Sequence, residues 1–369
     1  MNKIIYLDAA ASSLKPQAVI DAEVKFLTHD YSNAGRGICA RAAATDSMLA
    51  NARRCVADFV GAASDTQVIF TSGTTDSMNR IARMVFENVS GINAVAVSDL
   101  DHHSARMPWE YQAGRASAKV LRMELDAAWN IVPDAVPRAD VVVITAMSNV
   151  LGRAQDVSRI VAAARMANPD VITVVDAAQY VAHAKIDVCE WDCDFMVFSG
   201  HKIGADTGVG IMYIKEPERF YPDKFGGGMV SRILDDGWRL EHAPAKFEAG
   251  TLPLTQIAGM PAAIDAWRAW GGAAPLVGAL YDALADNKNV KILTARDAAL
   301  FSFVVPDMHP LDVGTMIGAH NICVRAGNMC ASWIHRAMGI GGSVRASVGP
   351  WNTMDDVMAL ADVVRGIAK

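Results

Sequence analysis

Residues 195–202 read Phe-Met-Val-Phe-Ser-Gly-His-Lys, an apolar run that leads through a short polar stretch to a lysine. The apolar part has the length of a buried β-strand. The amine of Lys202 would then lie at the end of that strand, where burial or a neighbouring cation lowers the pKa of an amine and makes it a nucleophile. A lysine at a strand end is more often a surface residue, so the interpretation of Lys202 depends on the rest of the chain.

Similar apolar runs occur on both sides of this segment. Helix-like patterns at residues 76–88 and 156–168 lie between them, which is the β-α-β order of a mainly parallel sheet. The sequence therefore predicts an α/β fold, and the other predicted strands are residues 67–70, 94–97, 141–145, 172–176 and 210–214.

A second, smaller α+β domain is expected after the α/β part. A helix pattern at residues 258–270 is followed by two glycines, and the remaining chain alternates helix and strand patterns, with a strand at 300–305. We expect a large domain over residues 1–264 and a small domain over residues 265–369. The N-terminal segment is a candidate to pack on the small domain.

Charge and composition argue against several functions. The 369-residue chain has a net charge of −6 with acidic and basic residues interleaved, so it shows no footprint for a nucleic-acid backbone. No apolar stretch reaches the roughly 18 residues that a membrane span needs, and the start does not resemble a signal peptide. We therefore expect a cytoplasmic protein without nucleic-acid or membrane partners. Its cysteines are expected to be reduced thiols, namely Cys39, Cys55, Cys189, Cys193, Cys323 and Cys330.

Two further segments fit the chemistry expected of Lys202. Asp176 ends an apolar run, so its carboxylate is expected at the edge where open parallel sheets bind ligands, and it could hold a pyridinium nitrogen there. Residues 71–76, Thr-Ser-Gly-Thr-Thr-Asp, follow a strand and open a helix, so their N–H and hydroxyl groups would face an anion. Taken alone, this segment is more simply a helix N-cap. The lysine, the carboxylate and the anion cradle together indicate the cofactor pyridoxal 5'-phosphate.

A histidine pair, His102 and His103, follows the predicted strand at residues 94–97. An imidazole there could stack on a cofactor ring and transfer protons near neutral pH. A metal site is the competing interpretation. Adjacent side chains diverge and no third ligand is suitably spaced, so we expect no bound metal.

A series of motifs resembles the class V, fold-type I pyridoxal-phosphate enzymes, and among them the SufS-type (group II) cysteine desulfurases. The Ser-Gly-His-Lys and Phe-Glu-Ala-Gly-Thr strings are specific to the superfamily, and the Arg-x-Gly-x-x-Cys string narrows the resemblance to the subgroup. The resemblance implies a fold-type I transferase whose large domain contains a mainly parallel seven-stranded sheet. The motifs are residues 6–11, 73–75, 101–103, 148–152, 176–179, 193–202, 247–251, 325–330 and 344–347.

The resemblance also implies a role for each matching residue. Lys202 would be the Schiff-base lysine and Asp176 would hold the pyridine nitrogen. Gln179 would lie near the ring hydroxyl, and His102 would stack on the ring and transfer protons. Thr251 would reach the phosphate of the partner subunit, which implies an obligate homodimer. The phosphate would be held by Thr74, Thr75, Ser199 and His201, and the substrate carboxylate by Asn149, also beside the cofactor, and by Arg345. Arg36 and Arg325 would line the same substrate pocket.

Cys330 decides which reaction is expected. It lies in a loop after the strand-like residues 322–325, near Arg325, a cation that favours the thiolate. A lone cysteine is usually a small buried hydrophobe, and we expect that of the other five. The resemblance implies a cysteine desulfurase that converts L-cysteine to L-alanine and leaves a persulfide on Cys330. The sulfur would pass to an acceptor protein, for example in iron–sulfur cluster assembly.

Three other functions stay open at this point. A selenocysteine lyase would share the cofactor site and act on L-selenocysteine, and another class V aminotransferase or lyase would not use Cys330. An inactive scaffold is disfavoured because Lys202, Asp176 and Cys330 are all present. The chain departs from the subgroup at Gly35, Ala177, 203–208 and 328–329, and these departures leave the cofactor residues in place.

Overall fold

The computed structural model describes residues 3–35 and 37–369. Helices cover both faces of a large sheet, and a smaller sheet follows in the C-terminal part. No helix in the described residues is both long and apolar enough to cross a membrane. The α-helices are α1 (Gln17–Lys25), α2 (Ala40–Val60), α3 (Thr74–Asn88), α4 (His103–Ala116), α5 (Val157–Ala167), α6 (Val188–Trp191), α7 (Leu254–Arg268), α8 (Ala274–Leu284), α9 (Pro310–Gly318), α10 (Ser332–Ala337) and α11 (Met354–Ile367).

The strands form the large sheet, the smaller sheet and two short pairs. In chain order they are β1 (Ile5–Tyr6), β2 (Val68–Thr71), β3 (Ala94–Val97), β4 (Lys119–Arg122), β5 (Val141–Thr145), β6 (Ile172–Asp176), β7 (Phe195–Ser199), β8 (Gly210–Ile214), β9 (Val230–Leu234), β10 (Gly237–Leu240), β11 (Lys291–Ile292), β12 (Phe301–Val304), β13 (Ile322–Cys323), β14 (Arg325–Gly327) and β15 (Ser343–Ala346).

The large sheet has seven strands in the order β2-β8-β7-β6-β5-β3-β4. Strand β8 runs antiparallel to both of its neighbours, and the other pairs are parallel, so the predicted fold class and sheet are confirmed. Asp176 pairs with Thr145 on one side and Val197 on the other. Its position at the carboxyl end of β6 is the edge of a parallel sheet where ligands bind.

Both faces of the large sheet are buried, which explains why its strands are continuous apolar runs. Val142 and Ile144 face the layer that contains α2, α5 and α7. Val141 and Val143 face the layer that contains α3 and α4. Because side chains alternate across a strand, the four apolar residues of β5 fill two cores.

The structure differs from the predicted elements in several places, among them the unpredicted hairpin β9–β10, and three of the differences have a clear cause. Strand β4 was not predicted, because it is a mostly exposed edge strand that carries Lys119 and Arg122. The strand predicted at residues 322–325 is two strands, since β13 pairs with β1 whereas β14 joins the smaller sheet. Helix α7 begins at Leu254, directly after Pro253, rather than at residue 258.

The smaller sheet is antiparallel, in the order β11-β12-β15-β14, and it shares a core with α8, α9 and α11. The N-terminal segment packs on this part: β1 pairs with β13, and Leu7 lies in its core. Helix α7 runs across residue 264 and packs against α1 and α2 of the larger part. The domain limits at residues 264 and 265 stay a prediction.

Candidate active site

A cavity of about 300 Å³ lies between the carboxyl edge of the large sheet, the N-terminal segment and the smaller sheet. Thr251 is exposed and is not among the residues that line it. Arg36 lies outside the described residues. Twelve of the predicted site residues do line it, namely Thr74, Thr75, His102, Asn149, Asp176, Gln179, Ser199, His201, Lys202, Arg325, Cys330 and Arg345.

Lys202 lies in a single 3-10 turn, Gly200–Lys202, that follows β7. Its Nζ donates a hydrogen bond of 2.5 Å to the carbonyl oxygen of Ala10. Burial and the nearby guanidinium of Arg345 lower the pKa of Lys202 to about 7, although the carboxylates of Asp176 and Asp8 act in the opposite direction. A substantial fraction of this amine is therefore neutral at physiological pH, which is the form that can act as a nucleophile or a base.

Asp176 ends β6, and only 4% of its surface is exposed. One carboxylate oxygen accepts a 2.9 Å hydrogen bond from the backbone N–H of Ala178. Burial raises the pKa of Asp176 to about 6, and the Ala178 hydrogen bond and the amine of Lys202 limit the rise. The carboxyl group is thus still mostly ionised at neutral pH and can hold a cationic ring nitrogen.

The N-terminus of α3 forms one end of the cavity. The backbone N–H of Thr74 donates 2.8 Å to Ser199 Oγ, and the hydroxyl of Thr74 lies 2.9 Å from the same atom. A Cβ added to Gly210 would lie 2.4 Å from the Cα of Gly73, so the helix start and strand β8 approach too closely for any side chain at Gly210. The N–H groups of a first helical turn lack intrahelical partners and attract anions. Thr75 and His201 complete the lining at this end.

His102 caps the start of α4. Its Nδ1 accepts a hydrogen bond from the backbone N–H of Ser104 at 3.2 Å. Burial, with further contributions from Lys202, His103 and Arg345, lowers the pKa of His102 to about 4. The ring is therefore neutral near pH 7, and because Nδ1 accepts, Nε2 carries the proton.

The five other cysteines were expected to be buried, and this expectation was wrong for two of them. Cys193 is buried, and Cys55 and Cys323 are partly buried. Cys39 and Cys189 are exposed, because one lies at the start of α2 and the other in the short helix α6.

Cys330 lies in the loop between β14 and α10, and its thiol is exposed. Met329 and Cys330 have φ values of 48° and 53°, which is the left-handed region that residues with a Cβ rarely adopt. The loop is held from outside, because Asn149 Nδ2 donates 2.8 Å to the carbonyl of Met329 and the N–H of His103 donates 2.7 Å to the carbonyl of Cys330. The strained loop thus keeps one geometry beside the cavity.

Two residues of the N-terminal segment belong to the site although no role was predicted for them. Ala10 accepts from Lys202 through its carbonyl, which also accepts 2.8 Å from Gln179 Nε2. Asp8 forms ion pairs with Arg325 and Arg345. Both residues lie in the motif at residues 6–11, which could have indicated that this segment belongs to the site. The motif does not show which residues Asp8 and Ala10 contact.

The residues fit pyridoxal phosphate. The side-chain oxygens of Gln179 and Asn149 are buried and have no hydrogen-bond partner in the described part of the chain, so the cavity offers acceptors that only a ligand or water can satisfy. A helix N-terminus suits the phosphate, and the buried carboxylate of Asp176 suits the ring nitrogen. The volume of about 300 Å³ is at the lower end of the size range of small-molecule sites.

Comparison with known proteins identifies the family. Residues 5–360 match the family described as aminotransferase class-V. The chain belongs to this family. Its members are pyridoxal-phosphate enzymes, in agreement with the cofactor that the site fits.

Similar proteins of this family carry a more specific name. The cysteine desulfurase CsdA of Escherichia coli strain K12 is 33% identical over 98% of this chain and 93% of that protein. A solved structure of that enzyme, described as an S-sulfonic acid form, superposes with a TM-score of 0.90 over 98% of this chain and 94% of the other, at 32% identity. The apo cysteine desulfurase of Thermococcus onnurineus NA1 superposes with a TM-score of 0.94 over 100% of this chain and 95% of the other, at 29% identity.

Proposed function

We propose that this protein is a pyridoxal-phosphate-dependent cysteine desulfurase that converts L-cysteine to L-alanine and leaves a persulfide on Cys330. One observation carries the proposal: the exposed thiol of Cys330 and the buried amine of Lys202, whose pKa is lowered, line the same cavity. The amine supplies the chemistry common to the family, and the thiol supplies a sulfur acceptor. The names of the similar proteins support the same reaction.

Pyridoxal phosphate, when bound, supplies an electrophilic carbon for the substrate amine and a ring that accepts the electron pair left at Cα. Thr74, Thr75, Ser199 and His201 would hold its phosphate. Asp176 would hold the ring nitrogen with its proton, Gln179 would lie at the ring hydroxyl, and His102 at the ring face.

The protonation states of Lys202 and His102 suit them to different tasks. Lys202, with a pKa of about 7, can take a proton from Cα of the substrate and return it later. Burial lowers the pKa of His102 to about 4, so its ring is neutral at pH 7 and can donate a hydrogen bond from Nε2 at the ring side, but it is a poor source of protons there. The carboxylate of the substrate would be bound by Arg345, with Arg325 and Asn149 beside it.

The sulfur step balances without an external oxidant. The Cys330 thiolate attacks the sulfur of L-cysteine, an S–S bond forms, and the Cβ–S bond breaks. The electron pair of that bond stays on Cβ, which takes a proton and becomes the methyl group of alanine. The sulfur is oxidised to the persulfide level as Cβ is reduced. Because Cys330 is exposed, an acceptor protein can reach the persulfide, and we propose iron–sulfur cluster assembly in the cytoplasm as its setting.

A homodimer is part of the proposal. Ile20, Val24 and Leu27 are exposed apolar residues, spaced four and three apart along α1 and the turn that follows it. An apolar stripe of this kind marks an interface. Thr251 is also exposed and lies outside the cavity of its own chain, as a residue that completes the partner's phosphate site would.

The decisive experiment measures alanine and sulfide from L-cysteine. Cys330→Ala should lower alanine formation by about three orders of magnitude, because the covalent route is deleted. The absorbance change on adding L-cysteine should persist, since it depends on Lys202. A mass spectrum after a short pulse of L-cysteine should show added sulfur on the Cys330 peptide.

The matched control is Cys189→Ala, which removes another exposed cysteine that does not line the cavity. Its alanine formation should stay within twofold of the wild type. Full desulfurase activity in Cys330→Ala would refute the assigned acceptor. Activity on L-selenocysteine alone would favour the lyase, because selenium leaves more easily than sulfur.

A further inference from the structure

Asp8 joins the two arginines that face the substrate side of the cavity. Asp8 is buried, with 6% of the residue exposed. Arg325 donates from Nη2 to Oδ2 at 2.5 Å and from Nε to Oδ1 at 3.4 Å. Arg345 donates from Nη2 to Oδ1 at 3.2 Å. One carboxylate from the N-terminal segment therefore bridges two guanidinium groups from the smaller sheet.

The two arginines would repel each other without this bridge. Arg325 and Arg345 lie directly opposite on the antiparallel strands β14 and β15. Like charges at opposed positions of neighbouring strands destabilise the pair. Arg345 is 2% exposed, so water screens its charge poorly, whereas half of the Arg325 side chain is exposed and free to turn toward solvent.

The guanidinium of Arg345 is oriented from two sides. Its Nη1 donates 2.9 Å to the carbonyl of Asn149, and its Nη2 donates to Asp8. Its Nε is buried and has no partner within residues 3–35 and 37–369. The guanidinium is thus fixed in orientation and still has N–H groups that can donate hydrogen bonds to another carboxylate. A site that binds the carboxylate of a substrate needs both properties.

The backbone around Asp8 is fixed as well. Asp8 forms a parallel bridge with Ser347, and the N–H of Ala10 donates 2.9 Å to Ser347 Oγ. Asp8, which binds the arginines, therefore lies only two residues before Ala10, whose carbonyl accepts the hydrogen bond from Lys202. The bridge to the arginines is therefore part of a wall whose backbone hydrogen bonds form without substrate.

We propose that Asp8 is a positioning residue that holds Arg325 and Arg345 together as a two-guanidinium receptor for the α-carboxylate of the substrate. The inference rests on the proposed function, because it assumes an amino-acid substrate. It deepens that function by naming what selects the substrate class, namely amines that carry an α-carboxylate over amines that lack one.

The test compares two ligands that differ only in the carboxylate. L-Alanine and ethylamine are titrated into the holoenzyme, and binding is followed by the absorbance of the cofactor. In Asp8→Asn, which keeps the size of the side chain and removes its charge, the dissociation constant for L-alanine should rise at least tenfold. The constant for ethylamine should stay within twofold. Asp282→Asn, at an exposed ion pair with Arg296, is the matched control and should change neither constant.

A second measurement does not depend on ligand binding. Phenylglyoxal modifies accessible arginines, and peptide mass spectrometry reports the rate at each site. Arg325 should be modified at least threefold faster in Asp8→Asn than in the wild type, while the rate at Arg296 stays the same. A structural defect would instead change the rates at both sites.

Three results would overturn the proposal: an equal loss of affinity for L-alanine and ethylamine, tighter binding of L-alanine in Asp8→Asn, or an unchanged modification rate at Arg325. Tighter binding of L-alanine would mean that the Asp8 carboxylate competes with the substrate carboxylate for the arginines. Failure of the proposed function gives a different result, since the wild-type protein would then form no alanine from L-cysteine.

Discussion

The two walls of the cavity are built in different ways. Lys202, Asp176 and Ser199 follow adjacent strands of one sheet, and each occupies the last position of its strand or the turn after it. Asp8 and Arg345 are 337 residues apart in the chain and meet only because the N-terminal segment packs on the smaller sheet. The wall formed by Lys202, Asp176 and Ser199, here called the strand-end wall, follows from local sequence and sheet order. The opposite wall consists of Asp8, Arg325, Arg345 and the Cys330 loop with its contacts. It forms only when the N-terminal segment and the smaller sheet have packed against the large sheet.

Because of this difference, sequence motifs indicate the chemistry of one wall of the cavity but not the contacts of the other. At the strand-end wall, position in the strand already decides which residue faces the ligand. At the opposite wall, the partners of Arg325 and Cys330 come from distant segments, so neither residue type nor spacing reveals them. Changes in one wall should therefore leave the geometry of the other intact. Of the four predictions that follow, the first two test this independence directly.

The largest effect is expected for Lys202→Ala in the strand-end wall. Alanine formation should fall by about four orders of magnitude, because both the bond to the cofactor and the proton shuttle are lost. Borohydride should no longer fix the cofactor to the protein. The alkylation rate of Cys330 should stay within twofold of the wild type, since its loop is held by Asn149 and His103. Lys215→Ala, at a surface ion pair with Asp192, serves as control and should retain full activity.

A smaller effect is expected for His103→Ala in the opposite wall. The Nε2 of His103 lies 3.1 Å from Ser332 Oγ, and its ring packs edge-on against Trp333. Removing these contacts should loosen the strained Cys330 loop and lower alanine formation by about 10- to 100-fold, as expected when a reacting group is misplaced. The cofactor spectrum should stay unchanged. His320→Ala, at an exposed position, should have no effect, and a changed spectrum in His103→Ala would contradict the independence of the walls.

The pH dependence of cofactor attachment tests the lowered pKa of Lys202. Burial first, and then Arg345, lowers the pKa of Lys202 to about 7, so the neutral amine is the minority form below that pH and the majority above it. The rate of attachment to the protein freed of cofactor should rise about tenfold from pH 6 to pH 8 and then level off. Stopped-flow absorbance measures this rate. A rate that still rises steeply beyond pH 9 would mean that the amine keeps its ordinary pKa.

The smallest effect is expected at Thr251, which lies in neither wall of its own chain. Thr251→Ala should weaken cofactor affinity by about fivefold, the loss expected for one hydrogen bond to a charged phosphate that water partly replaces. The covalent attachment at Lys202 should persist. Sedimentation should show a dimer, and a monomer that holds the cofactor tightly would contradict the role given to Thr251.

Several elements were predictable because their signals are local. The strand at residues 141–145 is fully buried and begins with four apolar residues, since both faces of the sheet are covered, and its bounds were predicted correctly. The edge strand β4 was missed because its residues are mostly exposed and carry no apolar run. The division of residues 322–325 into β13 and β14 was missed because each strand has its partner elsewhere in the chain.

Six of the seven strands of the large sheet, the family and the residues at the strand ends could be inferred from the sequence, because these signals lie in short stretches of neighbouring residues. The tertiary structure alone decided the partners of those residues: Ala10 for Lys202, Asp8 for the two arginines, and His103 and Asn149 for the Cys330 loop. The physical reason is that these contacts join segments far apart in the chain. They form only after the N-terminal segment and the smaller sheet have packed against the large sheet, and burial there sets the protonation state of Lys202.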